Sequence, residues 1–282
     1  MYLELAQAKA RLRARQEIID VARTQLKVIK RLEATGTIDS TDLTEIQATL
    51  SEARIEHAAE AGERDTARIR LAGLIGAPVS AKLDTTLAIE TISSNLESQS
   101  GLVLRAHRQR LDLISAKQEI EVRKIALKKA KRLFDEDGKE LGLEFEDEGE
   151  EGFLGPSLSV SVPVFDRGQH RKAKAKAELV EAERRFEALK HAIQTDVSEA
   201  HKRVATRRAT ALAHQNTLIP STIDRAALAR EQFNTGSIEA ADFLEAQLAI
   251  SEARLEAIDA AADYWEARVD LSQAVGGWPA KL

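Results

Sequence analysis

The feature that most constrains this chain is that it repeats itself. Residues 34–76, ATGTIDSTDLTEIQATLSEARIEHAAEAGERDTARIRLAGLIG, lie without a gap over residues 234–276, NTGSIEAADFLEAQLAISEARLEAIDAAADYWEARVDLSQAVG. Roughly 16 of about 43 positions are identical, among them Thr35-Gly36 with Thr235-Gly236, the Ser-Glu-Ala-Arg core and the closing glycines Gly76 and Gly276. Shared helical composition alone does not produce an ungapped match that also keeps its turns. The chain reads as two copies of one unit, and its fold must use that unit twice.

Within the copies the spacing is helical. Leu5, Ala8, Leu12, Ile19, Ala22, Leu26 and Ile29 recur at steps of three and four, an amphipathic helix to about Leu32 that Arg15 interrupts. Thr35 to Ser40 breaks it, with Gly36 suited to a helix end and Asp39 or Ser40 to the next N-cap. A second helix is expected to about Leu74, stopping at Gly76 and Pro78. Residues 1–76 thus form a helical hairpin, and 77–103 a connector. A helix is expected over 104–140, with Leu113, Ala116, Ile120, Leu127, Ala130 and Phe134 as its seam. The second copy, 167–276, opens after Asp166 with a long helix to about Asn234 that Pro220 should kink. Its last helix carries Leu244, Leu248, Leu255, Ile258, Ala262, Trp265 and Val269, and a short tail covers 277–282. These seams are narrow and rich in small residues, which favours close side-by-side packing of long helices.

Residues 141–166 differ. Leu158, Val160 and Val162 alternate with Ser159 and Ser161, and Leu141, Leu143 and Phe145 alternate with Gly142, Glu144 and Glu146, the period of a strand with one apolar and one polar side. The two segments read as a β-hairpin joined by the acidic, glycine-rich stretch Asp147 to Gly155. An isolated hairpin is marginal in water and needs partners. One apolar face packed on helices would supply them, and so would lipid. The fold class expected is mainly α with a small β part.

Composition removes several function classes. With 31% charged and 43% hydrophobic residues, 4% aromatic and 5 prolines, the chain has the make-up of long helices. A net charge of -5 gives no reason to expect a nucleic-acid partner, and the absence of cysteine excludes disulfides and thiolate metal sites. No stretch approaches the ~18 apolar residues of a membrane helix, whereas a membrane strand needs only ~9 to 11 alternating residues. His57, His107, His170, His191, His201 and His214 show no close pairing and are expected at the surface, with no metal site. Neither a nucleophile with its base nor a phosphate loop is present, so no enzyme activity and no cofactor are expected.

Two units of long helix, Gly-turn and returning helix, with LSVSVPVFDRGQ before an Ala/Glu/Arg-rich helix, RQRLDL at Arg108 to Leu113 and a terminal LSQAVGG, resemble the outer-membrane efflux proteins of the TolC family, nearest the heavy-metal and cation branch. That resemblance implies a homotrimer. Strands of three chains would close a transmembrane β-barrel in outer-membrane lipid, helical hairpins would continue it as an α-barrel tunnel through the periplasm, and 77–103 would be its equatorial connector. Such a channel is a passive conduit, fed by an inner-membrane efflux pump through a periplasmic adaptor, with metal cations or drugs as substrates. Leu141, Leu143, Phe145, Leu158, Val160 and Val162 would face lipid, a requirement met only by a closed barrel.

The turns Thr35-Gly36-Thr37 and Thr235-Gly236-Ser237 would contact the adaptor, although a Gly-turn also serves simply to cap a helix. Asp42, Glu45, Asp242 and Glu245 would line the tunnel constriction, where three-fold symmetry would gather them into a cation-attracting ring. On a charged helix such acids are otherwise ordinary solvated residues. The basic gate residue of some members is replaced here by Ile238 or Glu239. By the repeat, the sister strands of the first copy would precede Met1, and no signal-peptide core opens the chain, so it is expected to be N-terminally truncated. The alternatives are a periplasmic adaptor, which would carry a single hairpin between lipoyl-like segments, and a soluble structural coiled coil, which leaves the strands and the repeat unexplained.

Overall fold

Helix ends recur at the interval the sequence repeat dictates. The computed structural model describes residues 1–34, 40–85, 92, 96–131, 139–148, 151–160 and 169–277. Helix α1 spans Tyr2–Ala34 and α2 Ser40–Ile75; in the second copy α6 spans Ile219–Asn234 and α7 Ala240–Val275. Thus α2 and α7 are both 36 residues long and start and stop 200 positions apart. Each ends on a glycine in the left-handed region, Gly76 at φ 68° and Gly276 at φ 88°.

The chain divides into two units. The first comprises Met1–Ser98 and Glu199–Gln273. Its centre is α7. Ile18, Ile19 and Ala22 of α1 and Leu50 and Ala53 of α2 bury against Leu255 and Ile258; towards the turn end, Ile29 and Ile46 bury against Ala240 and Leu244. Another side of α7 receives Ala226 and Ala229 of α6 (Ile219–Asn234) on Ala246. Val204 and Ala211, near the end of α5 (Gln169–Ala213), pack with Ala260, Tyr264 and Ala267. Alanine dominates these contacts because a methyl side chain lets helix backbones approach closely.

Between α5 and α6 lies a π-helical turn, His214–Leu218. The disruption expected at Pro220 therefore begins six residues upstream. Proline lacks an N–H and its ring crowds the carbonyl four residues back, here that of Asn216, and the wider turn accommodates both demands. Arg15, which breaks the apolar stripe of α1, pairs with Glu56 of α2; Arg11 reaches Glu60 at 3.0 Å and Asp259 at 2.6 Å. Burial opposes the Arg11 charge, yet these two hydrogen-bonded acids raise its pKa.

The second unit comprises Gln99–Ser198 and the residues from Ala274. In place of one helix over 104–140 there are two, α3 (Gln99–Gln109) and α4 (Leu111–Ala130), with β1 already under way at Lys139. Arg110 separates them in an extended conformation, φ -67° and ψ 120°. The seam Leu113 to Ala130 is buried at its two ends, while Ile114, Val122 and Ile125 are exposed. The start of α5 runs antiparallel to this pair: Gln99 bonds Ser198 at 2.8 Å, Arg110 meets Asp196 at 3.2 Å and Arg123 meets Glu178 at 2.9 Å. Asp166, expected to cap α5, lies outside the described residues, and the helix opens at Gln169.

Strands β1 (Lys139–Glu148) and β2 (Glu151–Val160) form an antiparallel pair. The connection expected over Asp147 to Gly155 is mostly strand, because the ladder continues to the pair Glu148 and Glu151. Its register matches Leu141 with Leu158, Leu143 with Pro156 and Phe145 with Leu154, so positions of one alternating set oppose each other. Val160 opposes Lys139, and Val162 lies outside the described residues. No helix among the described residues is long and apolar enough to cross a membrane.

Candidate functional site

Two places gather the residues singled out by the sequence. The first is the turn joining α6 to α7. Ser237 N–H bonds Gln232 O at 2.8 Å and Gly236 N–H bonds Phe233 O at 3.0 Å, the paired bonds of a Schellman motif, which requires the positive φ of Gly236, 70°. Thr235 Oγ1 donates to Gln232 O at 2.9 Å and lies 2.9 Å from Ser237 Oγ. Phe233 and Phe243 stack across the turn with centroids 5.0 Å apart. The turn is therefore held from inside, and its threonine and serine stay exposed. Thr35, Gly36 and Thr37 of the first copy lie outside the described residues.

One turn further on, Glu45 of α2 and Asp242 and Glu245 of α7 line a single cleft with Ile46, Thr49, Leu244 and Leu248. Three of the four acids picked from sequence thus share one surface; Asp42 lies on α2, and its side chain is outside the described set. The cleft has an apolar floor, since Ile46 and Leu244 are buried, and acidic sides, since Glu45, Asp242 and Glu245 are exposed. Glu245 is also paired with Arg225 of α6, Nη2 to Oε1 3.0 Å. Sequence periodicity missed Arg225. The repeat holds the signal that could have found it, because the equivalent first-copy position is Gln25.

The second place joins RQRLDL to the end of α7. The Arg110 guanidinium donates to both carboxylate oxygens of Asp112, at 3.1 and 2.6 Å, to Asp196 at 3.2 Å and to Ala274 O at 3.3 Å. A cation beside the last carbonyls of a helix also meets the negative end of its dipole. The hydrogen bond from Arg110 holds the Asp112 carboxyl below the usual carboxylate range, and Asp112 in turn raises the Arg110 pKa. Gly276 fits only without a side chain, because a Cβ there would stand 2.7 Å from Arg110 Cγ and 3.0 Å from its Cα.

The histidines are less exposed than expected. His57, His107, His201 and His214 are half-buried and only His170 and His191 are exposed. His201 Nε2 lies 3.0 Å from Glu97 O. No cluster of three metal-binding side chains is found among the described residues.

A duplicated helical hairpin, interrupted by one strand pair and closed at each copy by a left-handed glycine, defines a narrow class of protein. Over residues 1–77 and 151–277 the chain matches the family described as outer membrane efflux protein, and it belongs to that family. No curated protein matches it. Among solved structures it is similar to a membrane protein from Pseudomonas aeruginosa, at 21% identity and a TM-score of 0.72, covering 98% of this chain and 64% of that one. It is likewise similar to CusC, at 17% identity and a TM-score of 0.79, covering 98% and 66%, and to the outer membrane protein VceC from Vibrio cholerae, at 14% identity and a TM-score of 0.70, covering 98% and 68%. At such identities the likeness is one of fold. The chain spans about two thirds of the length of these structures. The family is one of efflux channel proteins, which does not favour the adaptor or the soluble coiled coil.

Proposed function

We propose that the protein is the outer-membrane channel component of a tripartite efflux system, a passive homotrimeric conduit that exports small substrates, metal cations or drugs, delivered by an inner-membrane pump through a periplasmic adaptor. The observation that carries this reading is the strict repetition of α2 in α7, at a spacing of 200 residues, in a chain that matches the efflux family in both copies. A helical hairpin used twice in each of three chains supplies the staves of a helical tunnel. In this reading the β1–β2 pair contributes to a transmembrane barrel with Leu141, Leu143, Phe145, Leu158, Val160 and Val162 towards lipid, because closure leaves no strand edge unpaired in hydrocarbon. Energy for transport comes from the pump, and no catalytic group is assigned.

The turn Thr235-Gly236-Ser237, with Thr35-Gly36-Thr37 as its mate, is the proposed adaptor contact. Asp42, Glu45, Asp242 and Glu245 are the proposed constriction, where a three-fold ring of carboxylates attracts cations and repels anions. Pairing with Arg225 removes part of that charge from Glu245, so breaking the pair makes the ring more cation-selective.

The test is fractionation and cross-linking in the cells that make the protein. Recovery in the outer membrane as a cross-linked trimer that also captures a periplasmic adaptor is the expected result. A monomer in the soluble fraction overturns the proposal.

A further inference from the structure

The helix ends that lead into the strand pair carry a concentrated positive charge that the conduit reading does not use. Residues 123–131 and 169–177 hold nine Lys and Arg and no Asp or Glu, in a chain whose net charge is -5. The antiparallel pairing of α4 with α5, pinned by the Arg123 to Glu178 contact at 2.9 Å, brings both segments to the same end of the helix pair. Eight residues separate Ala130 from Lys139, and eight separate Val160 from Gln169, so this end is also the one that adjoins the strands. Lys128, Lys131, Lys174 and Lys176 are exposed.

Local helix energetics account for only part of this arrangement, since Lys128 and Lys129 stand in the last turn of α4, where the dipole favours cations. Lys124 with Lys128 and Lys172 with Lys176 stand four apart on their helices, where like charges repel. The first turn of α5 contains no acid and instead carries His170, Arg171 and Lys172, against the positive end of its own dipole. Among the described residues, acids on the neighbouring turns are engaged, Glu119 and Glu178 with Arg123, Glu121 with Lys124 and Glu181 with Arg185, and Lys129 and Arg171 have contacts of their own, so the exposed Lys128, Lys131, Lys174 and Lys176 carry the argument. A surface that opposes the helix dipole at the start of α5 and sets like charges four apart on both helices is stabilised by an external anion.

We propose that this basic collar binds the anionic headgroups of the leaflet that the strand pair enters, phosphatidylglycerol-type phosphates on the periplasmic side. The inference rests on the membrane placement of β1 and β2 proposed above. Each lysine near an anionic surface adds to the attraction, which decays within a Debye length and weakens with salt. The collar thereby sets how deep the strands sit and which way they point.

The experiment measures co-sedimentation of the full chain with vesicles of phosphatidylcholine alone or mixed with phosphatidylglycerol, together with protease digestion of the strand pair. Binding to the mixed vesicles should exceed binding to the neutral ones, fall with salt, and drop at least ~10-fold when Lys128, Lys131, Lys174 and Lys176 are all changed to Gln. Changing the same four to Arg should restore it, and changing Lys27, Lys30, Lys82 and Lys202 to Gln should leave it intact. Equal binding of wild type and the collar Gln variant, with the strands protected from protease, overturns the collar and leaves the channel reading standing. Collar-dependent binding with the strands fully digested supports the collar and sinks their membrane placement. Collar-dependent retention on peptidoglycan sacculi without vesicle binding overturns the lipid assignment.

Discussion

Helices α2 and α7 descend from one sequence and have the same length, yet they occupy opposite environments. In α7, buried residues cover most of the circumference, from Ala240, Leu244 and Ala246 through Leu255, Ile258 and Ala261 to Tyr264, Ala267 and Val275, and the exposed strip carries Glu245, Glu252, Glu256 and Glu266. Its mate buries one side only, Ile46, Leu50, Ala53, Ala67 and Ala72, and leaves Ile55, Leu74 and Ile75 exposed at 71%, 69% and 59%. A helix whose apolar surface wraps most of the way round is largely interior, and one with a single stripe is a surface helix. Duplication supplied two equal staves, and substitution then made one of them the hub. In the proposed trimer, the apolar residues left open on α2 are candidates for contact with a neighbouring copy.

The largest break in that comparison should come from Tyr264, which is 2% exposed and whose mate is Arg64. Tyr264→Ala is expected to cost about 4 kcal/mol by urea unfolding, as for other buried aromatics, and Arg64→Ala less than ~1 kcal/mol. Next come the closing glycines. Gly276→Ala should cost about 3 kcal/mol, from left-handed strain together with the clash against Arg110, whereas Gly76→Ala, which meets nothing within 4 Å, should cost only about 1 kcal/mol. Equal losses would mean that the Arg110 contact carries no weight.

Arg110→Ala should cost about 2 kcal/mol, the scale of lost hydrogen bonds between charged groups. It also changes the acid limb of stability. Because the folded Asp112 pKa is depressed, chiefly by Arg110, its contribution is present above the ordinary carboxylate pKa and is lost as pH falls through and below about 4. The wild type should therefore lose stability steeply there and the variant more shallowly, as thermal melts across that range would show. Phe243→Leu installs the first-copy residue, Leu43, removes the stack on Phe233 and is expected to cost about 1 kcal/mol. The smallest stability effect belongs to Arg225→Gln, which also imitates the first copy: the Glu245 pair is exposed and worth no more than ~0.5 kcal/mol. Its consequence should be seen instead in bilayer recordings, as raised cation selectivity, and unchanged selectivity would remove Arg225 from the constriction.

Much of this organisation is visible in the chain itself. The repeat announces both helical hairpins and their ends, since Gly76 and Gly276 terminate α2 and α7 whatever surrounds them. Period-two alternation marks β1 and β2, but not their extent: Asp147 to Gly155 looks like a loop by composition and is largely ladder, because cross-strand hydrogen bonds outweigh the weak strand preference of Gly and Asp. The break at Arg110 has no local signal, as no Gly or Pro stands there; it coincides with the guanidinium contacts to Asp196 and Ala274, distant in sequence. Tyr264 escaped because an Ala-rich helix buried around most of its circumference shows no single narrow stripe to follow.

By itself, then, the sequence determined what repeats, where helices stop and which residues alternate, because these depend on spacing, glycine conformation and neighbours a few positions away. Only the tertiary structure shows which of these two related helices, alike at roughly 16 of about 43 repeat positions, is the hub. It also decided that Glu45 meets Asp242 and Glu245 in one cleft, that Arg225 joins them, and that Arg110 closes on Gly276. Those outcomes rest on contacts between residues 20 to 252 positions apart, and no periodicity within one helix encodes which helix lies beside it.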